Sequence, residues 1–120
     1  MNQNCLFICR SCEVNNLNGL DLYQELINSD RSLITKLNIQ PSRCLWTCSR
    51  ACSVTFLAPD KYTYHFVDLD PQESVAALLQ FGKLYLESED GYILPAEMPK
   101  ILKSKLLVRI PPISSPIPVD

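Results

Sequence analysis

The sequence predicts an α/β domain: a mixed sheet of about four strands flanked by helices. Three observations lead there. Along the chain the patterns run strand, helix, strand, cysteine-rich loop, hairpin, helix. The 120 residues are 47% hydrophobic, so a single domain can bury its own core without a metal to hold it together. No internal repeat, Gly-rich phosphate loop or charge run points to another architecture.

Taken in order, Cys5 to Cys9 (CLFIC) is a continuous apolar run, as expected for a short central strand buried on both faces. The stretch Arg10 to Asn18 is polar and reads as an irregular loop. Leu20, Tyr23, Leu26 and Ile27 then follow helical spacing, which predicts a helix from about Gly19 to Ser29. After Asp30 the helical period is lost. A strand around Lys36 to Gln40, stopped by Pro41, delivers the chain to Cys44. Ser53 to Leu57 and Tyr62 to Val67 are rich in β-branched and aromatic residues and flank the turn Ala58 to Lys61, so they predict a hairpin.

Asp70, Pro71 and Glu73 read as a helix start, with Asp70 as N-cap and Pro71 at the first helical position. Val75, Leu78 and Leu79 keep one face apolar, Gly82 falls on that face, and the helix is expected to end near Ser88. Tyr92 to Leu94 is expected to be extended, and Pro99 to open a small helix through about Lys105. The expected domain spans residues 1–110. Four of the last ten residues are proline, so 111–120 reads as a disordered tail.

Charge and composition exclude several classes of function. With 11 basic and 13 acidic residues and a pI near 5.3, the chain carries no electrostatic footprint for nucleic acid or an anionic membrane. Its N-terminal apolar run is far shorter than a signal peptide or membrane span, so a cytoplasmic protein is expected, with no membrane insertion. In that reducing compartment six cysteines point to metal or redox chemistry, whereas an oxidising one would allow three disulfides.

The cysteines fall in two groups. Cys9 and Cys12 form a CxxC, while Cys44, Cys48 and Cys52 recur every fourth residue in CLWTCSRAC and would share one face of a continuous helix. Thiolates prefer soft metals and iron-sulfur clusters, and two groups brought together would hold one metal centre between two loops. Cysteine also serves as a small buried hydrophobe, and Cys5, inside the first strand, fits that role. His65, mid-strand between Tyr64 and Phe66, reads as a sheet residue, and Asp68, Asp70 and Glu73 read as capping groups.

Cys44-Leu45-Trp46-Thr47-Cys48, Tyr62 or Tyr64, and Pro71 with Glu73 resemble the CLxxC loop, hairpin tyrosine and Pro-Glu helix of the thioredoxin-like 2Fe-2S ferredoxins. That family also occurs as a subunit domain of respiratory NADH dehydrogenases and of hydrogenases. Within it the chain is particularly similar to a family of small predicted metal-binding proteins of unknown function. The segments CRSC, CLWTCSRACSV, APDKYTYHF, EDGY and RIPP carry that similarity, which covers residues 5–112. The resemblance implies a thioredoxin-like ferredoxin fold with Cys9 and Cys12 as one ligand pair, Cys44 and Cys48 as the other, and Cys52 as a reserve ligand or a thiol behind them.

Around such ligands, Arg10, Arg43 and Arg50 would offset the negative charge of a four-thiolate cluster, or simply be solvated surface. Trp46 would be a lid, a docking handle, or a residue packed on the hairpin. The expected function is a 2Fe-2S protein in one-electron transfer or redox sensing, with a redox partner protein. The sequence contains no convincing set of catalytic acid, base and nucleophile. A zinc or other soft-metal binding or delivery protein is the first alternative. A thiol-disulfide oxidoreductase using Cys9 and Cys12 is the second. Whether two copies pair as a homodimer is left open.

Overall fold

A computed structural model of the chain describes residues 4–10, 13–14, 17–46 and 50–112. β1 (Cys5–Cys9) lies inside a five-stranded sheet. On one side it pairs in parallel with β4 (Asn38–Ser42), Cys9 standing opposite Ser42. On the other it pairs antiparallel with β5 (Val54–Leu57), which continues into β6 (Thr63–Phe66) and β7 (Leu106–Ile110), giving the order β4-β1-β5-β6-β7. The expected irregular loop after β1 contains two further strands of two residues each, β2 (Glu13–Val14) and β3 (Leu17–Asn18), paired antiparallel.

The fifth strand of the main sheet is β7, which the sequence pattern hides. Val108 pairs with His65 and Leu106 with Phe66, so Leu107 is an extra residue that breaks the alternation of a regular strand. β4 runs two residues later than expected and contains Pro41. As an edge strand it tolerates a residue with no N–H to give to the ladder.

α1 (Gly19–Ser29) has the predicted bounds, and a capping box sets its start. The Asp21 amide donates to Asn18 Oδ1 at 3.0 Å and the Asn18 amide donates to Asp21 Oδ2 at 2.7 Å, satisfying two amides that the first turn leaves open. Asp30 ends α1 and caps the one-turn helix α2 (Arg31–Ile34), accepting from the Leu33 amide at 3.1 Å, where the lost helical period predicted no helix.

α3 (Val75–Glu87) starts later than Asp70 predicts. The Asp70 carboxylate instead accepts from the Gln72 and Glu73 amides at 2.8 and 2.9 Å, closing a turn before the regular helix begins. These amides hold the Asp70 carboxyl below its ordinary pKa. α4 (Lys100–Lys103) is a single turn, shorter than expected. Tyr92 to Leu94 joins no strand.

Leu22 and Leu26 of α1, Leu33 of α2, Leu78, Phe81 and Tyr85 of α3 and Leu102 of α4 join one core with the sheet residues Leu6, Ile8, Val54, Phe56, Tyr64 and Phe66. At its centre the Phe81 ring meets Phe56, Tyr64 and Phe66 with centroids 4.8, 4.9 and 5.1 Å away. The alternate residues Cys5, Phe7, Thr55, Leu57, Thr63 and His65 are only partly buried. The expectation that β1 is buried on both faces, with Cys5 in the core, is therefore corrected: Leu6 and Ile8 are buried, whereas Cys5 and Phe7 are only partly so. No helix among the described residues is long and apolar enough to cross a membrane. Of the expected tail, Pro111 and Pro112 follow β7, and residues 113–120 lie outside the described residues.

Candidate metal centre

Because β1 and β4 are parallel, their C-terminal ends reach the same end of the sheet. The Arg10 amide donates to the Ser42 carbonyl at 3.1 Å, holding the two exits together, and Cys44 follows two residues later. On the other flank the Cys9 amide donates to the Ser53 carbonyl at 3.1 Å, next to Cys52. Cys52 in turn exchanges two backbone bonds with Leu69, at 3.1 and 3.0 Å. The backbones of Cys9, Cys44 and Cys52 thus belong to one end of the sheet, the C-terminal end of its parallel pair, where open α/β sheets receive ligands.

The three side chains differ in environment. Cys9 and Cys52 are fully buried and belong to the core cluster, whereas Cys44 is exposed. The Cys44 sulfur accepts a hydrogen bond from the Trp46 amide at 3.3 Å. Trp46 has a left-handed φ of 69°, so no continuous α-helix runs from Cys44 to Cys52. Its indole is 93% exposed, which excludes packing against the hairpin. Cys12 and Cys48 lie outside the described residues. Among the described residues, no group of three His, Cys, Asp or Glu side chains is arranged to hold a metal ion.

The arginines near these cysteines have separate settings. Arg10 and Arg43 are exposed. Arg50 is engaged by Asp68, its Nε donating to Oδ2 at 3.0 Å within a solvent-exposed ion pair. His65 is placed mid-sheet, with Nδ1 2.7 Å from Thr55 Oγ1, and burial pushes its pKa down.

One residue that shapes this end escapes sequence reasoning. A Cβ at Gly19 would lie 1.8 Å from the Cys9 carbonyl oxygen, a contact no side chain tolerates. The first turn of α1 therefore rests directly on the backbone of Cys9, bringing the positive end of the helix dipole to this strand exit. A glycine next to an Asn cap was visible in the sequence. Its contact across the nine intervening positions was not.

Two solved structures are similar to this chain. A structure of a thioredoxin-like [2Fe-2S] ferredoxin from Aquifex aeolicus superposes with a TM-score of 0.55 at 14% identity, covering 91% of this chain and 94% of that one. A structure of the wild-type thioredoxin-like [2Fe-2S] ferredoxin from the same organism gives a TM-score of 0.48 at 18% identity, covering 66% of this chain and 87% of that one. The first likeness shows a thioredoxin-like ferredoxin fold. No curated protein matches the chain in sequence. Residues 6–112 match the sequence profile described as "Protein of unknown function (DUF1636)", and the chain belongs to that family.

Proposed function

We propose that the chain binds a 2Fe-2S cluster through Cys9, Cys12, Cys44 and Cys48 and serves one-electron transfer or redox sensing. The observation that carries this reading is the meeting of two strand exits. β1 ends on Cys9 and its parallel neighbour β4 leads to Cys44, on a fold shared with a structure named a [2Fe-2S] ferredoxin. Cys12 and Cys48, each within four residues of one of these, complete a set of four soft donors from two loops. Such a donor set fits an iron-sulfur cluster, which when bound supplies a reversible one-electron couple.

The chain's own contributions follow from the geometry. The amide of Trp46 already donates to the Cys44 sulfur, and hydrogen bonds of this kind raise a cluster's reduction potential. Burial of Cys9 excludes water from its side of the site, while exposed Cys44 leaves the other side open to a redox partner protein. Trp46 is the exposed contact for that partner. Cys52, buried behind the loop, is a reserve thiol. Thiolate ligands kept reduced accord with a cytoplasmic setting.

The test is the visible absorption spectrum of anaerobically purified protein together with its iron and acid-labile sulfide. A brown protein with about two irons and two sulfides per chain is expected. A colourless protein holding one zinc would overturn the cluster reading, since four thiolates also suit zinc. Single Cys→Ser changes then assign the ligands. Loss is expected at Cys9, Cys12, Cys44 and Cys48, and equal loss at Cys52 would make it a ligand.

A further inference from the structure

The two edges of the sheet are built differently. β4 is blunted: Asn38 and Gln40 are exposed polar residues, and Pro41 has no N–H to offer. β7 instead presents Leu107, Val108 and Ile110 at 46%, 42% and 50% exposure, and among the described residues no strand pairs with its outer side. Beside it runs an open groove of about 520 Å³, lined in part by Ile93, Pro95, Met98, Leu106 and Leu107. Leu94 and Ile101, from the segments flanking this groove, are exposed at 55% and 40%. Five of the eight large apolar side chains exposed among the described residues therefore belong to β7 or its surroundings.

The charge around this apolar strip has one sign. Residues 98–112 contain Lys100, Lys103, Lys105 and Arg109 and no acidic residue, a net +4 in a chain of net −2, which leaves −6 for the remainder. Lys103 and Arg109 line the groove itself. Neither ion pair found among the described residues involves any of the four. Arg109 lies over the Tyr92 ring at 4.4 Å, a contact that leaves its charge uncompensated by a carboxylate.

We propose that β7 and its groove dock an extended segment of a partner protein that alternates apolar and acidic side chains, added to the sheet as a further strand. The strand edge supplies the backbone pairing, the groove takes one row of side chains, and the cations meet the acidic row. The bulge at Leu107 confines the regular ladder to the Val108–Ile110 end and leaves Leu107 facing the groove. A second copy of this chain would set four cations against four, which disfavours self-pairing. A membrane surface would not use a concave groove or a directional strand edge. This site does not depend on the cluster reading, because it lies on the opposite edge of the sheet from β4 and uses none of the cysteines.

The test uses the full chain and a fluorescein-labelled peptide, Glu-Val-Asp-Ile-Glu-Val-Asp, followed by fluorescence anisotropy. A control peptide carries Lys at each acidic position. Saturable binding of the acidic peptide is expected, about tenfold or more tighter than the control and weaker at high salt. Leu107→Asp and the double change Lys100→Glu, Lys103→Glu should each weaken it about tenfold, with an unchanged circular dichroism spectrum. Four outcomes of the peptide measurements would overturn the proposal, and two further measurements would do the same. The four are equal binding of both peptides, binding unaffected by Leu107→Asp, no binding at millimolar peptide, and binding that appears only when residues 113–120 are removed, which would assign the edge to the chain's own C-terminus. A doubled mass with the peptide excluded would assign it to a second copy. Co-sedimentation with phosphatidylserine–phosphatidylcholine vesicles in place of peptide binding would assign it to a membrane.

Discussion

The two ends of the sheet are held by different means. At the end away from Cys9, Cys44 and Cys52, large aromatic side chains staple loops to strands. The buried Tyr64 hydroxyl donates to the Gly91 carbonyl at 2.7 Å and accepts from the Ile93 amide at 2.9 Å. The Tyr85 hydroxyl donates to the Tyr62 carbonyl at 2.6 Å, and Lys61 Nζ donates to the Tyr85 carbonyl at 2.8 Å. Gly91, with φ of 75° and room for no Cβ beyond 3.0 Å from Lys61, Tyr62 or Tyr85, lets the loop approach this closely.

At the cysteine end the joints are backbone bonds between Cys9, Cys52, Ser53 and Leu69, supplemented by the exposed Arg50–Asp68 pair, of a type worth little. One end is thus tied by side-chain hydroxyls to loop backbone, the other by main-chain bonds around Cys9 and Cys52, which themselves belong to the core.

The largest expected effect tests the first half of this contrast. Phe81→Ala removes the ring at the centre of the aromatic cluster and should lower stability by about 3–5 kcal/mol in urea unfolding. A loss below 1 kcal/mol would show that the core does not depend on this cluster. Tyr64→Phe leaves the Gly91 carbonyl and Ile93 amide without their buried partner and should cost about 1–3 kcal/mol.

A smaller effect depends on pH. Burial lowers the His65 pKa in the folded state, so its contribution to stability is present above the unfolded value of about 6.5 and is lost as pH falls from there through the folded pKa. His65→Gln should flatten the pH dependence of the unfolding midpoint in that range, and an unchanged slope would assign the acid sensitivity to other groups. The smallest effect sharpens the second half of the contrast. In metal-free protein, Cys44→Ser should change stability by no more than about 0.5 kcal/mol, because the side chain is exposed. A larger loss would make Cys44 part of the scaffold.

What the sequence disclosed followed from how local each signal was. α1 could be read to its ends because Tyr23, Leu26 and Ile27 recur at helical spacing after Asn18 and Gly19, although Leu20, read into the same face, is exposed. The β5–β6 hairpin was legible for a similar reason, its alternation being regular on both sides of a Pro-Asp turn. β7 was not, since the bulge at Leu107 shifts the alternation within a five-residue strand. The delayed start of α3 was hidden because an Asp-Pro-x-Glu turn and a capped helix share their first residues.

At the candidate centre, the two cysteine groups were legible as spacings in the sequence. That Cys9 and Cys44 come to one sheet end depends on the parallel register of β1 and β4, a pairing between residues more than thirty positions apart that no local pattern encodes. The interruption at Trp46 was equally invisible, since a left-handed residue that is not glycine has no sequence signature.

Trp46 is the single tryptophan among 120 residues, whereas four of the five tyrosines, Tyr62, Tyr64, Tyr85 and Tyr92, surround the opposite end of the sheet. The molecule is therefore divided optically as well as mechanically. Excitation at the red edge of protein absorption reads the cysteine loop alone, through an indole already in contact with solvent. Near-ultraviolet dichroism reads the rigid aromatic core. A bound chromophoric cluster would quench the first signal and leave the second intact, so one unlabelled sample reports loading of the loop and melting of the scaffold as separate events.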